Sequence, residues 1–317
     1  MPLLRRKSVF AAKVEGTVGT AESLTGAEGV YNAMDFLIQP NIGMTRREGQ
    51  GGFQYLPSMP EGMTGTCSLK HELTYDGTNV PTWASVLLPA CGWVDAAGVF
   101  TPRTEAPGSN VKTITIGHYK DGKLALLSGA MGTFVITLET GKTAYITFTF
   151  TGKYSSNETD VALITPTYPT VLPLRFAAGA LTFNSVAMCT ATLAVDAGNS
   201  VVMRECVNAS DRSGYVSALV TNRAPIVTAD PESLLVATQD RDALWLASTP
   251  QALSITLNGP APVTTTSTIV IAAPKAQLEN KQQGNRSDLM VDNLTWLATA
   301  GSAVDTELSI TFNASTA

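Results

Sequence analysis

Apolar residues alternate with Thr, Ser or charged residues from one end of the chain to the other, in runs bounded by Gly and Asn. Such period-2 patterning belongs to half-buried antiparallel strands and predicts an all-β, or mainly β, protein. In the first half it predicts strands over 30–39, 64–75, 111–119, 122–128, 131–139 and 143–153. Lys120-Asp121-Gly122-Lys123 supplies the Asp-Gly pair that a type I′ hairpin turn needs, and Glu139-Thr140-Gly141-Lys142 closes the next hairpin, so the last four strands form a meander. One helix is expected over Pro81–Cys91, with Pro in its first turn, Trp83, Val86, Leu87 and Ala90 on one face, and Gly92 as its C-terminal cap.

Two stretches break the alternation. From Pro40 to Gly62 the chain carries five glycines and three prolines without sustained periodicity, which predicts a long structureless loop (40–64), the kind that usually carries function. From 156 to 173 a Ser/Asn/Thr/Pro segment containing Pro166, Pro169 and Pro173 reads as a linker. It divides a first domain, 1–155, from a second β-rich domain, 174–317, with strands expected over 174–184, 187–197, 200–207, 215–228, 251–258, 266–278, 287–299 and 305–313. Short helical or turn segments are expected around Pro231–Val236 and Asp240–Ala247. Met131–Phe150 and Met188–Val207 both read as Gly-marked hairpins, but their identity is too low to define a repeat.

The alternation also sorts side chains by face. Strand 64–75 sets Thr66, Ser68, Lys70, Glu72 and Thr74 against Cys67, Leu69, His71, Leu73 and Tyr75. Strand 143–151 sets Thr143, Tyr145, Thr147, Thr149 and Thr151 against Ala144, Ile146, Phe148 and Phe150, and strand 131–139 sets Thr133, Thr137 and Glu139 against Phe134, Ile136 and Leu138. Asp35 and Gln39 share a face of the first strand. A sheet with one apolar face and one face of small hydroxyls and sparse charges fits either an ordinary solvated surface or the wall of a water-filled channel closed by several subunits.

Composition narrows the classes. The chain has 317 residues, 44% hydrophobic and 15% charged, which is a folding rather than a disordered balance. With 21 basic and 26 acidic residues the net charge is −5, which argues against affinity gained by neutralising phosphates. No apolar run approaches the ~20 residues of a transmembrane helix, and Arg5-Arg6-Lys7 is not followed by an adequate signal-peptide core, so no membrane span and no export are expected. Cys67, Cys91, Cys189 and Cys206 lack C-x-x-C spacing and read as free and mostly buried.

Candidate chemistry is sparse. His71 and His118 sit on different strands away from any nucleophile context, and read as residues of a solvated or half-buried sheet face. Gly141-Lys142-Thr143 lacks the earlier glycine of a phosphate loop, position 136 being Ile136. Asp240 and Asp242 lack the glycine and glutamate of a calcium loop and read as a charged helix start before Trp245. No catalytic site, metal or cofactor is expected.

One collinear set of segments carries a resemblance. Lys13-Val14-Glu15-Gly16-Thr17-Val18-Gly19-Thr20-Ala21, Gln39-Pro40-Asn41-Ile42, the Gly/Pro stretch, Gly65–Leu73, Leu87-Leu88-Pro89-Ala90-Cys91-Gly92, Ser128-Gly129-Ala130-Met131-Gly132 and Phe148-Thr149-Phe150-Thr151-Gly152-Lys153-Tyr154 resemble the major tail tube proteins of long-tailed (siphovirus-type) bacteriophages. The likeness is strongest over 11–155 and looser at Leu193–Gly198 and Pro274-Lys275-Ala276-Gln277.

The resemblance implies an antiparallel β-sandwich or half-barrel with one flanking helix, closing into hexameric rings that stack into a virion tail assembled in the host cytoplasm. It makes the 40–64 loop an inter-ring stacking loop with Arg46, Arg47, Glu48, Phe53, Tyr55 and Met59 as contacts. It makes Asp35, Gln39, Lys70, Glu72, Thr133, Thr137, Glu139, Thr147 and Thr149 lumen-facing. It implies self-association, tail tip or initiator, terminator and length-setting proteins as partners, and DNA passing without specific binding. The second domain is expected on the tube exterior. The rival readings are a tube protein of a contractile injection or secretion system, and an adhesion or decoration β-sandwich.

Overall fold

A computed structural model describes residues 3–104, 112–154, 157–209, 211–259, 267–301 and 303–314. The first residues of the strands expected at 111 and 266, and Ser156 of the expected linker, lie outside the described residues. In chain order the first half contains β1 (Ser8–Val14), β2 (Ala33–Glu48), β3 (Tyr55–Glu72), helix α1 (Thr82–Leu87), β4 (Trp93–Ala96), β5 (Val99–Pro102), β6 (Ile114–Lys120), β7 (Lys123–Glu139), β8 (Tyr145–Lys153) and β9 (Thr159–Asp160). The second half contains β10 (Arg175–Phe183), β11 (Val186–Ala187), β12 (Thr192–Asp196), β13 (Asn199–Glu205), β14 (Tyr215–Arg223), β15 (Ile226–Ala229), helix α2 (Arg241–Leu246), β16 (Gln251–Asn258), β17 (Ser267–Arg286), β18 (Leu289–Ala298) and β19 (Ser309–Ala314). The protein is all-β in class, and the described strand pairings are antiparallel.

The local chemistry explains most boundaries. Asp121 (φ +28°) and Gly122 (φ +103°) both take positive φ and turn β6 into β7. Helix α1 stops at Leu88, a tighter turn over Pro89–Cys91 follows, and Gly92 at φ +76° ends the segment. Asp240 caps α2, accepting from the Ala243 amide at 2.8 Å. The strands expected at 122–128 and 131–139 are one strand, β7, which bulges between Leu127 and Ala130 where it leaves β6.

The stretch expected to be a structureless loop is instead a long two-stranded ribbon. Strands β2 and β3 pair from Ala33↔His71 out to Glu48↔Tyr55, interrupted by register shifts at Met34/Leu37, Ile42/Met44 and Thr45/Arg47. Nearly every residue from Gln39 to Glu61 is exposed, so neither face needs apolar residues and no alternation is written into the sequence. Pro57 falls within the outermost shift, where it withholds no ladder hydrogen bond.

The two halves share one sheet. Its central run follows the order β2-β3-β8-β7-β12-β15-β18-β17, crossing from the first half to the second where Thr192–Asp196 pairs with Val135–Glu139. They also share one core. Phe312, from β19, packs against Tyr75, Trp83 and Phe100 with ring centroids 5.3, 5.8 and 5.6 Å apart, and β19 pairs with β5. The 157–173 segment follows the first half closely. Val161 and Ile164 pack on Val9, Ala11 and Tyr119, Glu158 pairs with Lys120 at 2.5 Å, and Thr74 bridges to Pro173.

A second ribbon, β13 with β14, crosses the first half. Asn199 Nδ2 donates to the carbonyls of Cys91 and Gly132 at 2.8 and 2.9 Å, and the buried Lys153 ammonium holds Asp211 at 2.7 Å. Desolvation pushes the Asp211 pKa up, but hydrogen bonds from Lys153 and Ser213 outweigh it and leave the carboxyl below its usual range. Beneath this ribbon the buried Glu15 carboxylate accepts from Gly19 N, Gly129 N, Thr113 Oγ1 and Thr115 Oγ1 at 2.6–2.9 Å.

If the halves form one cooperative unit, Phe312→Ala destabilises both. The expected loss is about 3–5 kcal/mol, read as one denaturation transition shifted as a whole by tryptophan fluorescence and far-UV circular dichroism. Two separated transitions with only the second half affected would contradict the shared core.

Candidate functional site: a continuous polar sheet face

The central run of strands keeps its apolar face on the core and turns the other to solvent, except near Met131 and Lys153, where the β13–β14 ribbon covers it. Because partners across antiparallel strands share a face, the register gives rows of neighbouring side chains. One row is Leu37, Ser68, Thr149, Thr133. The next is Met34, Lys70, Thr147, Val135, Asp196, Ile226, Leu297, Gln277, and the next Glu72, Tyr145, Thr137, Ala194, Thr228, Thr295, Asn280. Gln39 stands beside Thr66, and Glu139 beside Thr192. The alternate positions, among them Ile38, Cys67, Phe148, Ile136, Val195, Val227 and Trp296, are buried.

The structure therefore brings Gln39, Lys70, Glu72, Thr133, Thr137, Glu139, Thr147 and Thr149 onto one face. Asp35 is exposed but sits in the Met34/Leu37 register shift with φ +50°, so the simple alternation that grouped it with Gln39 does not hold there. Sequence reasoning missed two features. Apolar Leu37, 45% exposed, lies on the solvent side beside Ser68. The second half also extends the face with Ala194, Thr228, Thr295, Asn280 and Gln282, which the alternation of its strands implies only once β12 is known to join β7.

Charge on the face is sparse and mostly tied down. Lys70 Nζ lies 4.0 Å from the centre of the Tyr145 ring, Glu72 Oε2 accepts from Asn32 at 3.0 Å, and Glu139 pairs with Lys142. Around the β7–β12 junction a shallow depression of ≈ 350 Å³ is lined by Thr137, Ala194, Thr228, Asn280, Gln282 and Thr295 with Glu139 and Asp230 beside them. Desolvation pushes the Asp230 pKa up, yet hydrogen bonds from Thr192 N, Thr190 Oγ1 and Ala191 N, with Arg286, outweigh it and hold the group low. The surface is wet and offers mostly hydroxyls and amides, with its few charges largely paired.

The other predicted contacts cluster at the outer end of the β2–β3 ribbon. Glu48 pairs with Tyr55, Arg47 with Leu56 and Thr45 with Met59; Arg46 sits in the shift between them, and Phe53 is at the tip, fully exposed. All six are solvent-facing, and Ile42, Met44 and Leu56 add exposed apolar surface along the same ribbon.

Among the described residues no group of three or more His, Cys, Asp or Glu side chains is placed to hold a metal, and no helix is long and apolar enough to cross a membrane. All four cysteines are free, but only Cys67 and Cys91 are buried, Cys189 being exposed and Cys206 partly so. Burial pushes the Cys67 thiol up to about 12, far from a reactive thiolate. Neither histidine lies on a wet face. His71 and His118 are 4% and 7% exposed, His71 donating from Nδ1 to the Glu72 carbonyl at 2.5 Å and His118 packing edge-on to Phe36. The chain matches no protein-family model and no curated protein sequence.

Burial lowers both histidines to about 4 from 6.5, which favours their neutral form. Between those values the unfolded chain binds protons that the folded chain refuses, so stability rises with pH through that window and is fully present above 6.5. Denaturation midpoints are expected to fall from pH 7 to pH 4. His71→Leu and His118→Phe should each flatten part of that slope, and an unchanged slope in both variants would contradict the assignment.

Proposed function

We propose that this chain is a structural tube protein, the major tail tube subunit of a long-tailed bacteriophage, which assembles into stacked hexameric rings through which DNA passes. The observation that carries the reading is the continuous polar face crossing both halves, on a run of strands whose ends are open among the described residues, β2 pairing with β3 alone and the 277–286 part of β17 with β18 alone. A sheet so exposed at its edges is a template for pairing with another chain. A face of hydroxyls and amides with its few charges engaged suits the wall of a conduit for a polyanion. It offers phosphates a sparse cationic grip, Lys70 being held over the Tyr145 ring, and the acidic net balance of −5 adds weak repulsion.

Because β12, β15, β18 and β17 continue the same face, the second half contributes to the wall rather than decorating the outside. The β2–β3 ribbon serves as the contact between rings, with Phe53, Tyr55 and Met59 supplying apolar surface and Arg46, Arg47 and Glu48 supplying pairing charges. Tail tip, terminator and length-setting proteins are the further partners of such a tube. The work is mechanical and no reaction is assigned.

Negative-stain electron microscopy across a concentration series is expected to reveal rings or hollow tubes with an axial channel. Deleting Gly49–Pro57 should leave a folded subunit that forms rings but does not stack. Tubes of ordinary length from the deletion would refute the role of the ribbon, and solid particles or a persistent monomer of the intact chain would count against the tube itself.

A further inference from the structure

The two halves repeat one topology that their sequences conceal. In the first half β1 pairs with β6, β6 with β7, β7 with β8, β8 with β3 and β3 with β2. In the second, β10 pairs with β16, β16 with β17, β17 with β18, β18 with β15 and β15 with β12. The chain order of the equivalent elements is the same, with α1 and α2 at the same place between the third and fourth strands. The last short strands correspond too, since β9 lies on the first part of β7 and β19 on the first part of β17.

Details of register agree. Where β7 leaves β6, partners move from Ile116↔Leu127 to Ile114↔Ala130. Where β17 leaves β16 they move from Leu253↔Ala273 to Gln251↔Ala276, the same extra residue on the same strand. Across the sheet the buried row Ile38, Cys67, Phe150 corresponds to Val195, Val227, Trp296. The β2–β3 ribbon has its counterpart in β12–β13 with β14–β15, one ribbon kinked at Gly198 and Pro225 whose pairing passes from Asp196↔Ile226 to Asn199↔Arg223 without slipping.

In this light the β7–β12 contact joins the far edge of one fold unit to the near edge of the next. Each half leaves the complementary edge open. Strand β2 pairs only with β3, and the 277–286 part of β17 only with β18, among the described residues. Both open edges border exposed apolar side chains, Leu37 and Ile42 on β2 and Leu289 and Met290 beyond the end of β17.

We propose that β17 of one copy pairs antiparallel with β2 of a second copy of this chain, repeating between chains the junction that β7 and β12 make within one. Carrying the internal register over sets Gln282 opposite Gln39, as Val135 stands opposite Asp196. The junction is head-to-tail, so copies build a ring where the rotation closes, and an open filament where it does not, rather than a two-fold dimer. Each chain contributes two fold units, so three chains close a ring of six. The junction follows from the sheet alone; the count of three rests on the sixfold ring proposed above, taken as six fold units from three chains in place of six chains.

The test uses the full chain with Cys189→Ser and Cys206→Ser, so that the exposed native thiols do not report. Gln39→Cys and Gln282→Cys are added singly and together, and a short thiol cross-linker is applied to the assembled protein. The double variant is expected to give covalent dimers and trimers with nothing larger at completion, while each single variant stays at monomer mass. Cross-linking within a single variant, or none in the double variant up to its solubility limit, overturns the junction. A ladder closing at six chains overturns the duplication-based count. Microscopy of the same sample separates the readings. Closed trimers without an axial channel would sink the tube reading and keep the junction, whereas tubes that fail to cross-link would keep the tube and sink the junction.

Discussion

Five residues of β12, Thr192–Asp196, lie along the outer edge of β7, and the remaining architecture follows from that pairing. Without it the central strands of the two halves would form two separate sheets, with the polar face divided between them. With it, Val195 and Leu193 come beside Ile136 and Leu138 on the core side, while Ala194 and Asp196 come beside Thr137 and Val135 on the wet side. A register slip of one residue would exchange those faces, which is why the pairing fixes the continuity of core and solvent face together.

The same junction explains where the molecule is closed and where it is open. Phe312 inserts between residues of the first half on the core side, and Asn199 and Asp211 anchor the β13–β14 ribbon to Cys91, Gly132 and Lys153, so the two halves are held by side-chain contacts as well as by strands. Among the described residues the β2–β3 ribbon has no comparable anchor at its outer end. Its apolar residues face solvent in the isolated chain, a state that soluble monomers usually avoid over a contiguous patch.

The sequence was most legible where one face of a strand is buried. The alternation at 64–75, 131–139 and 143–153 placed Leu69, Phe134 and Phe148 in the core and Thr147 and Thr149 outside, as the structure has them. The cap at Gly92, the turn at Asp121-Gly122 and the Asp240 helix start were legible because each rests on local backbone chemistry. The ribbon was not, because a two-stranded arm wet on both sides imposes no period. At Asp35 alternation alone does not fix the face, because an extra residue in β2 interrupts it there. The duplication escaped notice because equivalent core positions hold different apolar residues, Phe150 against Trp296 and Cys67 against Val227, and burial constrains volume and polarity rather than identity. The joining of the halves depends on a strand pair more than 50 residues apart in sequence, Glu139 with Thr192, which no local pattern encodes.

The central claim is that the polar face of this sheet lines an enclosed channel. An electron cryomicroscopy reconstruction of the assembled protein tests it most directly. The account predicts a closed axial channel bounded by β3, β8, β7, β12, β15 and β18, with Thr149, Thr137, Thr228 and Thr295 pointing into it. An assembly in which those threonines face outward, or one that encloses no channel, would contradict it.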